Sequence, residues 1–298
     1  MTVTAQLKGG LGNQLFQYAL AKAISERNGQ KLLLNSHWHF NTPSHLTPRI
    51  FLLDHLRLHS AKVINSPWPP LSSFFSYLLS LLPCSSIVFD KDPYAYSASI
   101  ASSKFEKKRN ICLVGYWQSF KYFAHIRPLL LEEFQLNKLV DPHYTGFQKA
   151  IENSESVMIH IRRSDFINLK SAKNYHGALD ISYYLKAIDF IKARIADPHF
   201  FIFSDDLEWS KNNIPKEMHA TFIVGSTKDD AVVQELQLMR LCKHHIIANS
   251  SLSWWGAWLS EQQSQYIKIC PDCWLKTQQV NLDDLLPSNW TRLPAVLL

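Results

Sequence analysis

The spacing of apolar positions changes along the chain, and each change marks an element. Thr4 to Leu7 reads as a short strand, followed by the glycine-rich turn Gly9-Gly10-Leu11-Gly12. Leu15, Phe16, Ala19, Leu20, Ala23 and Ile24 then recur at helical spacing, and Asn28-Gly29 is a stop signal for that helix. Lys31 to Asn35 reads as a second strand, so the chain opens as an α/β unit. From Val157 onward strands and helices alternate cleanly. Strands are expected at Val157–Ile161, Phe200–Phe203, Thr221–Val224, His245–Ala248 and Tyr266–Ile269. Helices are expected at Ser182–Ile195, up to Leu241, and at Leu252–Ser260. Thr227 and Asp230 are spaced as an approximate capping box for the helix ending at Leu241. Strands separated by helices imply a parallel sheet with right-handed crossovers, and ligands of such sheets sit beyond the carboxyl ends of the strands. The boundary is placed near Asp141-Pro142, giving an N-terminal domain 1–142 and a C-terminal domain 143–298.

The stretch 65–110 is less orderly. Ser66-Pro67-Trp68-Pro69-Pro70 is a breaker, and Leu71 to Leu82 is apolar and serine-rich. That run is shorter than the ~20 residues a membrane helix needs. A chain of 298 residues buries its core without staples, and 46% hydrophobic with 19% charged residues is a globular composition. Lys plus Arg exceeds Asp plus Glu by 31 − 25, a net charge of +6. This mildly favours an anionic ligand, and no basic run is dense enough to imply a nucleic-acid partner. Five cysteines, an odd count in a large chain, argue against a disulfide framework. Cys270 and Cys273 form a single C-x-x-C with no second pair, so no metal site is expected. The start MTVTAQLKGG lacks the layout of a secretory signal. The expected location is cytoplasmic, with any membrane contact peripheral, at the inner face, through 71–82.

Four clusters lie at expected strand ends. The first is Gly9-Gly10-Leu11-Gly12-Asn13-Gln14. Gly10 and Gly12 fit G-x-G, but Leu15 stands where a dinucleotide loop has its third glycine, and no acid closes the second strand. What remains is a turn that a ligand can approach closely, at the start of a helix that favours negative charge. The second is His160-Ile161-Arg162-Arg163-Ser164-Asp165. Alternation puts His160 and Arg162 on one face, opposite Ile159 and Ile161. Adjacent arginines leaving a buried strand fit phosphate oxygens, or else a bridge to Asp165. The third, Phe203-Ser204-Asp205-Asp206, places two acids where they can accept guanine's N–H groups or cap a helix. The fourth is Asn249-Ser250-Ser251-Leu252-Ser253-Trp254-Trp255-Gly256, a second anion cradle before a helix. Its tryptophans can stack on a sugar or base, although packing suits Trp255 and Trp258 better.

These segments carry a family resemblance. GGLGNQLFQYALA at 9–21, GYWQSFKYF at 115–123, HIRRSDF at 160–166, FSDD at 203–206 and NSSLSWWGAW at 249–258 together resemble the bacterial α-1,2-fucosyltransferases of glycosyltransferase family 11. Arg49 to Leu53 and Pro287 to Leu293 fit the same pattern. The resemblance implies an α/β, GT-B-like fold of two Rossmann-like domains facing a cleft, with the nucleotide-sugar site mainly in the C-terminal domain. It implies inverting transfer of L-fucose from GDP-β-L-fucose to the 2-hydroxyl of a terminal β-galactoside, on an oligosaccharide or lipid-linked glycan, without a metal or other cofactor. Matched residue by residue, Arg162 would hold the β-phosphate, His160 would lie near guanine, and Asp205 or Asp206 would read it. Ser250 and Ser251 would hold phosphates, and Asn13 would approach the fucose or pyrophosphate. Gly10, Gly12, Gln14, Arg163, Asn249, Leu252 and Ser253 complete the expected donor contacts. Phe166 and Leu252 depart from the family's commoner tyrosine and phenylalanine.

Arg162, Asp165 and Asn13 are the expected catalytic residues, with Arg162 steadying the leaving group. The base is open: Asp165 is nearest in sequence, and His37, His39 and Asp54 are alternatives. Two other classes stay open. A metal-dependent GT-A enzyme would use Asp90-Lys91-Asp92, although Pro93 makes that a turn, and a non-catalytic sugar or nucleotide binder is suggested by nine tryptophans.

Overall fold

A computed structural model describes residues 1–42, 47–67, 85–101, 109–163, 175–260 and 265–298. The chain divides into two compact units, Met1–Asn137 and Lys138–Leu298. The Asp141-Pro142 pair opens the first helix of the second unit, Asp141 accepting the His143 N–H across the cap.

Unit 1 is built on five parallel strands: β1 (Thr2–Gln6), β2 (Lys31–Asn35), β3 (Ala61–Ile64), β4 (Ser85–Phe89) and β5 (Asn110–Val114). They lie in the order β3-β2-β1-β5-β4. The expected first helix is α1 (Leu11–Asn28), ended by Gly29 in the left-handed region. Its apolar residues are buried nearly all round, as expected of a helix packed over a sheet within a large core. The unit also contains α2 (Arg127–Glu133). Lys22 and Tyr18 of α1 meet the fully buried Glu133 of α2, at 3.1 Å from the Lys22 Nζ and 2.8 Å from the Tyr18 hydroxyl.

Unit 2 carries β6 (Glu155–Ile161), β7 (Pro198–Ser204), β8 (Ala220–Phe222), β9 (His244–Ile246), β10 (Lys268–Pro271) and β11 (Thr291–Leu293). Their order is β11-β10-β9-β6-β7-β8, all parallel. Counted from β6, this is the 3-2-1-4-5-6 order of the doubly wound nucleotide folds. Its helices are α3 (Pro142–Glu152), α4 (Ile181–Lys192), α5 (Leu207–Asn213), α6 (Ala231–Leu241) and α7 (Ser251–Leu259). Strand β6 is central and buried on both faces, which explains its continuous apolar run. Val157, Ile159 and Ile161 pack with Tyr183, Tyr184, Ile188 and Ile191 of α4.

The expected elements are present, with ends shifted by a few residues. The capping box is not formed. Asp230 stands at the N-cap itself without a side-chain cap bond, and its carboxylate instead meets Lys138 at 3.0 Å and the Gln234 amide at 3.3 Å. The tryptophans of α7 are core residues: Trp254, Trp255 and Trp258 are buried and pack on one another, and Trp254 donates to the Leu285 carbonyl. None of the three is placed to stack on a ligand. The four described cysteines are free thiols. No described helix is long and apolar enough to cross a membrane, and Leu71–Leu82 lies outside the described residues.

Candidate functional site

In a doubly wound sheet the ligand crevice opens where the strand order reverses. In unit 2 that point lies beyond the carboxyl ends of β6 and β9. His160-Ile161-Arg162-Arg163 leaves β6 there, and Asn249-Ser250-Ser251 follows β9 into α7. Chain segments about ninety residues apart are thereby brought to neighbouring strand ends, since β6 pairs directly with β9.

The two arginines diverge as the strand alternation requires. Arg162 Nη1 pairs with Asp205 Oδ2 at 3.1 Å, and its side chain keeps 25% of its exposure. Its positive charge acts on two imidazoles. Burial first, and the Arg162 charge second, push the His160 pKa down to about 3 and that of His176 to about 4. Both rings are therefore neutral at physiological pH. Arg163 continues the Ile159–Ile161 face. Its guanidinium sits over the Trp209 ring at 3.7 Å, and its Nε lies 3.9 Å from Asp206 Oδ2. Its side chain retains only 11% exposure. Its Nε and Nη1 are buried without a hydrogen bond among the described residues.

The acids of the third cluster serve these arginines. Asp205 accepts the Arg163 backbone N–H at 2.8 Å through Oδ1, while Oδ2 faces Arg162. Asp206 is the N-cap of α5 and accepts the Trp209 N–H at 3.0 Å. The helix-cap reading thus holds for Asp206, and the arginines find carboxylates at the end of β7. Asp165 lies outside the described residues, as do Ser164 and Phe166.

In the fourth cluster Ser250, Ser251 and Leu252 are half-buried at the start of α7, whose first turn holds no acid. Ser250 is the N-cap and makes no side-chain cap bond. Asn249 and Ser253 differ from expectation. Asn249 is buried, and its Nδ2 donates to the carbonyls of Gly177 and Trp274, each at 3.1 Å. That nitrogen ties backbone together, while Oδ1 is buried without a hydrogen-bond partner among the described residues. Ser253 is likewise buried, and its hydroxyl donates back to the Ser250 carbonyl at 3.3 Å.

In unit 1 the strand order reverses between β1 and β5. Gly9 to Asn13 follows β1, and Gly115 to Gln118 follows β5. Of the glycines in the loop, Gly9 has a conformational reason to be one. Its φ is +82°, and a Cβ there would stand 2.7 Å from Asn13 Nδ2. Gly10 is the N-cap of α1 with an ordinary φ of −74°, and Gly12 is buried in the first turn. Gln14 is likewise engaged with backbone. It is fully buried, donates to the carbonyls of Gly9 and Ile50 at 3.0 and 2.9 Å, and accepts the Leu52 N–H at 3.0 Å. Asn13 is half-exposed, and its Oδ1 accepts from Gln118 Nε2 at 2.8 Å.

The alternative bases differ in access. His39 Nδ1 lies 2.9 Å from the Arg49 carbonyl, so that nitrogen carries the proton, while Nε2 is buried without a partner among the described residues. Burial lowers its pKa. His37 meets Asn65 at 2.9 Å, and Asp54 is exposed beside His55. The D-x-D segment is a turn: Asp90 accepts the N–H groups of Tyr116 and Trp117, and Asp92 accepts that of Tyr94. Among the described residues no group of three His, Cys, Asp or Glu side chains is placed to hold a metal ion.

His176, Trp209 and Gln118 were not singled out by the sequence as site residues. Glu235 lies in α6 beside Gly225, where burial raises its pKa to about 7. Gln118 carried a signal in the family segment 115–123; the others read as ordinary helix or loop residues.

The model of the family described as glycosyl transferase family 11 matches residues 1–293. The chain belongs to that family. Among its relatives is an alpha-1,2-colitosyltransferase of Escherichia coli, 33% identical over 98% of this chain and 98% of that protein. The O-antigen biosynthesis glycosyltransferase WbnK of Escherichia coli is 30% identical over 96% of this chain and 99% of that one. A galactoside 2-alpha-L-fucosyltransferase of Bos taurus is 26% identical over 89% of this chain and 66% of the larger protein. Among solved structures, fucosyltransferase NodZ from Bradyrhizobium aligns with a TM-score of 0.52 at 13% identity, covering 87% of this chain and 92% of that one. NodZ alpha-1,6-fucosyltransferase soaked with GDP-fucose aligns with a TM-score of 0.51 at 12% identity, covering the same shares of the two chains. At such identities the likeness is one of fold. This family 11 glycosyltransferase has the GT-B-like fold, which sets aside the GT-A alternative.

Proposed function

We propose that the chain transfers L-fucose from GDP-β-L-fucose to the 2-hydroxyl of a terminal β-galactoside, with inversion and without a metal. The observation that carries the reading is the arginine pair leaving β6 at the β6/β9 reversal, where the acid-free start of α7 follows the neighbouring strand β9. Arg162 is held by Asp205 with its side chain a quarter exposed, and a guanidinium so placed can bind a phosphate oxygen through its planar fork. Cleavage of the bond between the sugar's anomeric carbon and the β-phosphate oxygen leaves the bonding pair on GDP. The acceptor hydroxyl forms the new bond from the opposite face and gives up its proton. Arg162 and the α7 amides would bind the departing phosphate more tightly as its charge grows, which lowers the barrier. His160 and Asp205 or Asp206 are assigned to the guanosine side. Asn13, at the start of α1, is assigned to the sugar or pyrophosphate.

The names of the relatives support a second donor. Colitose is the 3-deoxy counterpart of L-fucose, and a colitosyltransferase is 33% identical to this chain. Both donors share the GDP group that the arginines would hold. The acceptor is proposed as a galactose-terminated oligosaccharide or lipid-linked glycan, and the location as cytoplasmic, at most peripheral to the inner membrane face. The deciding experiment incubates the protein with GDP-fucose or GDP-colitose and a panel of β-galactosides, and reads product mass and linkage. Transfer from GDP-fucose alone establishes the first reading, and transfer from GDP-colitose alone replaces it. Transfer from neither, by folded protein, overturns both.

A further inference from the structure

Residues from three neighbouring strands meet at the carboxyl end of the sheet in unit 1. Lys8 follows β1, Tyr116 follows β5 and Asp90 follows β4, and those strands lie side by side in that order. Ligands of such sheets sit beyond this end, where the strand order reverses. The Asp90 Oδ2 accepts the backbone N–H groups of Tyr116 at 3.0 Å and Trp117 at 2.8 Å. A Cβ on Gly115 would stand 2.0 Å from the Asp90 Cβ, so the carboxylate reaches those amides only because residue 115 lacks a side chain. Trp117 has a φ of +56°, a left-handed backbone that bulky residues rarely adopt. Such strain persists only where the surroundings enforce it. Here the indole is buried, the Trp117 N–H is held by Asp90, and the Gln118 N–H donates to the Pro93 carbonyl at 2.6 Å. Both backbone donors act on one carboxylate oxygen. Oδ1 accepts no hydrogen bond among the described residues, and Asp90 is only half-buried.

We infer that Asp90 is the general base of the reaction, taking the acceptor's hydroxyl proton on Oδ1. The inference rests on the transfer reading above, with unit 1 serving the acceptor. A base has to be held in place, open on one side and poised near the working pH. Main-chain donors cannot flip as side-chain amides do, and the two carboxylate oxygens are equivalent, so one oxygen is presented in either orientation. Burial outweighs the two amides and raises the Asp90 pKa; the negative charge of Asp92 adds to this, and the positive charge of Lys8 opposes it. The Lys8 Nζ lies 4.3 Å from the centre of the Tyr116 ring. His39, by contrast, has its Nε2 buried. In the step, the acceptor oxygen bonds to the anomeric carbon while the bond from that carbon to the β-phosphate oxygen breaks, and the electron pair of the broken bond leaves on GDP. The hydroxyl proton passes to Asp90 and is then lost to water.

The test compares the parent with Asp90→Asn and Lys8→Met in transfer from GDP-fucose and GDP-colitose to the β-galactoside panel, over a range of pH. Melting temperature and GDP protection against heating are the controls. Asparagine keeps an oxygen for the two backbone N–H groups, so Asp90→Asn should fold and bind GDP as the parent does. Its kcat should fall about 100-fold or more, the usual worth of a general base. The residual rate should also lack the parent's loss of kcat/KM toward acid. Lys8→Met removes the opposing charge, so that acid limb should move to higher pH. A carboxylate that only braced the turn would leave the shape of the profile unchanged. Near-parental kcat in folded Asp90→Asn, an acid limb that survives in that variant, or one that stays in place in Lys8→Met would each overturn the inference while leaving the transfer reading intact. Should Asp90→Asn fail to fold, the Lys8→Met profile decides alone. A parent that transfers neither sugar overturns the transfer reading, and this inference with it.

Discussion

The guanidinium of Arg163 rests over the indole of Trp209, 3.7 Å from its centre, while the preceding residue turns its own guanidinium to Asp205. Two adjacent, chemically identical side chains therefore have different duties. Arg163 braces α5 against the end of β6, and Arg162 is the one left partly open. Conservative replacement should separate them. Arg162→Lys keeps the charge and loses the planar fork, and should reduce kcat by about 100- to 1000-fold with little change in melting temperature. Arg163→Lys loses the stacked contact, and should lower the melting temperature while reducing kcat less. Kinetics and melting curves of both variants check this. The reverse pattern would exchange the two roles.

GDP should protect the protein against heating, because the arginine pair leaves β6 and α7 follows β9 at one reversal of strand order. A ligand that binds only the folded state stabilises it by RT ln(1 + [L]/Kd). Thermal melts with millimolar GDP measure the shift, and its absence in folded protein would refute the nucleotide assignment. EDTA should leave both this shift and turnover unchanged, since Asp90 and Asp92 are already occupied by backbone amides.

Glu235 should make stability depend on pH in the direction opposite to an ordinary paired carboxylate. Burial raises its pKa from 4.5 to about 7 in the folded state. The folded protein then holds the proton more tightly than the unfolded chain between those values. Stability is lost progressively as pH rises from 4.5 through 7, and the full penalty applies above it. Glu235→Gln removes this penalty. The melting temperature of the variant relative to the parent should climb between pH 5 and pH 8, and a difference independent of pH would contradict the assignment.

Asn249→Ala should act chiefly on stability. It strips the carbonyls of Gly177 and Trp274 of a buried donor, a loss of about 1–3 kcal/mol for unsatisfied groups. In a unit of this size that corresponds to a fall of several degrees in melting temperature. GDP should still protect the variant that remains folded. Loss of GDP protection at unchanged melting temperature would return Asn249 to the ligand-contacting set.

The strand-and-helix rhythm of unit 2 was readable because β6 and β7 are nearly unbroken apolar runs between amphipathic helices. Arg162 and Arg163 were expected on opposite sides, and they do take different partners, Asp205 for the first and Trp209 with Asp206 for the second. What the sequence conceals is which strand ends lie together. The order β3-β2-β1-β5-β4 sets Gln118 beside Asn13, over a hundred positions apart, and nothing local to either residue announces the pair. The same holds for Asp205, which meets Arg162 from the end of the neighbouring strand. Gln14 and Asn249 carry a duty their motifs do not announce, since the side-chain amide nitrogen of each joins two backbone segments.

The left-handed torsion at Trp117 has a consequence for engineering. A backbone of this kind costs on the order of 1–3 kcal/mol, and asparagine or glycine would accept it more readily. The buried indole offsets that cost, since truncating a side chain of this size in a core costs about 3–5 kcal/mol. A relaxed loop would no longer need the Asp90 carboxylate to hold it, and the aim of the next side chain would wander. Libraries screened only for melting temperature should therefore keep the tryptophan at 117 and the glycine at 115, where an added Cβ would meet Asp90, as firmly as libraries screened for product do.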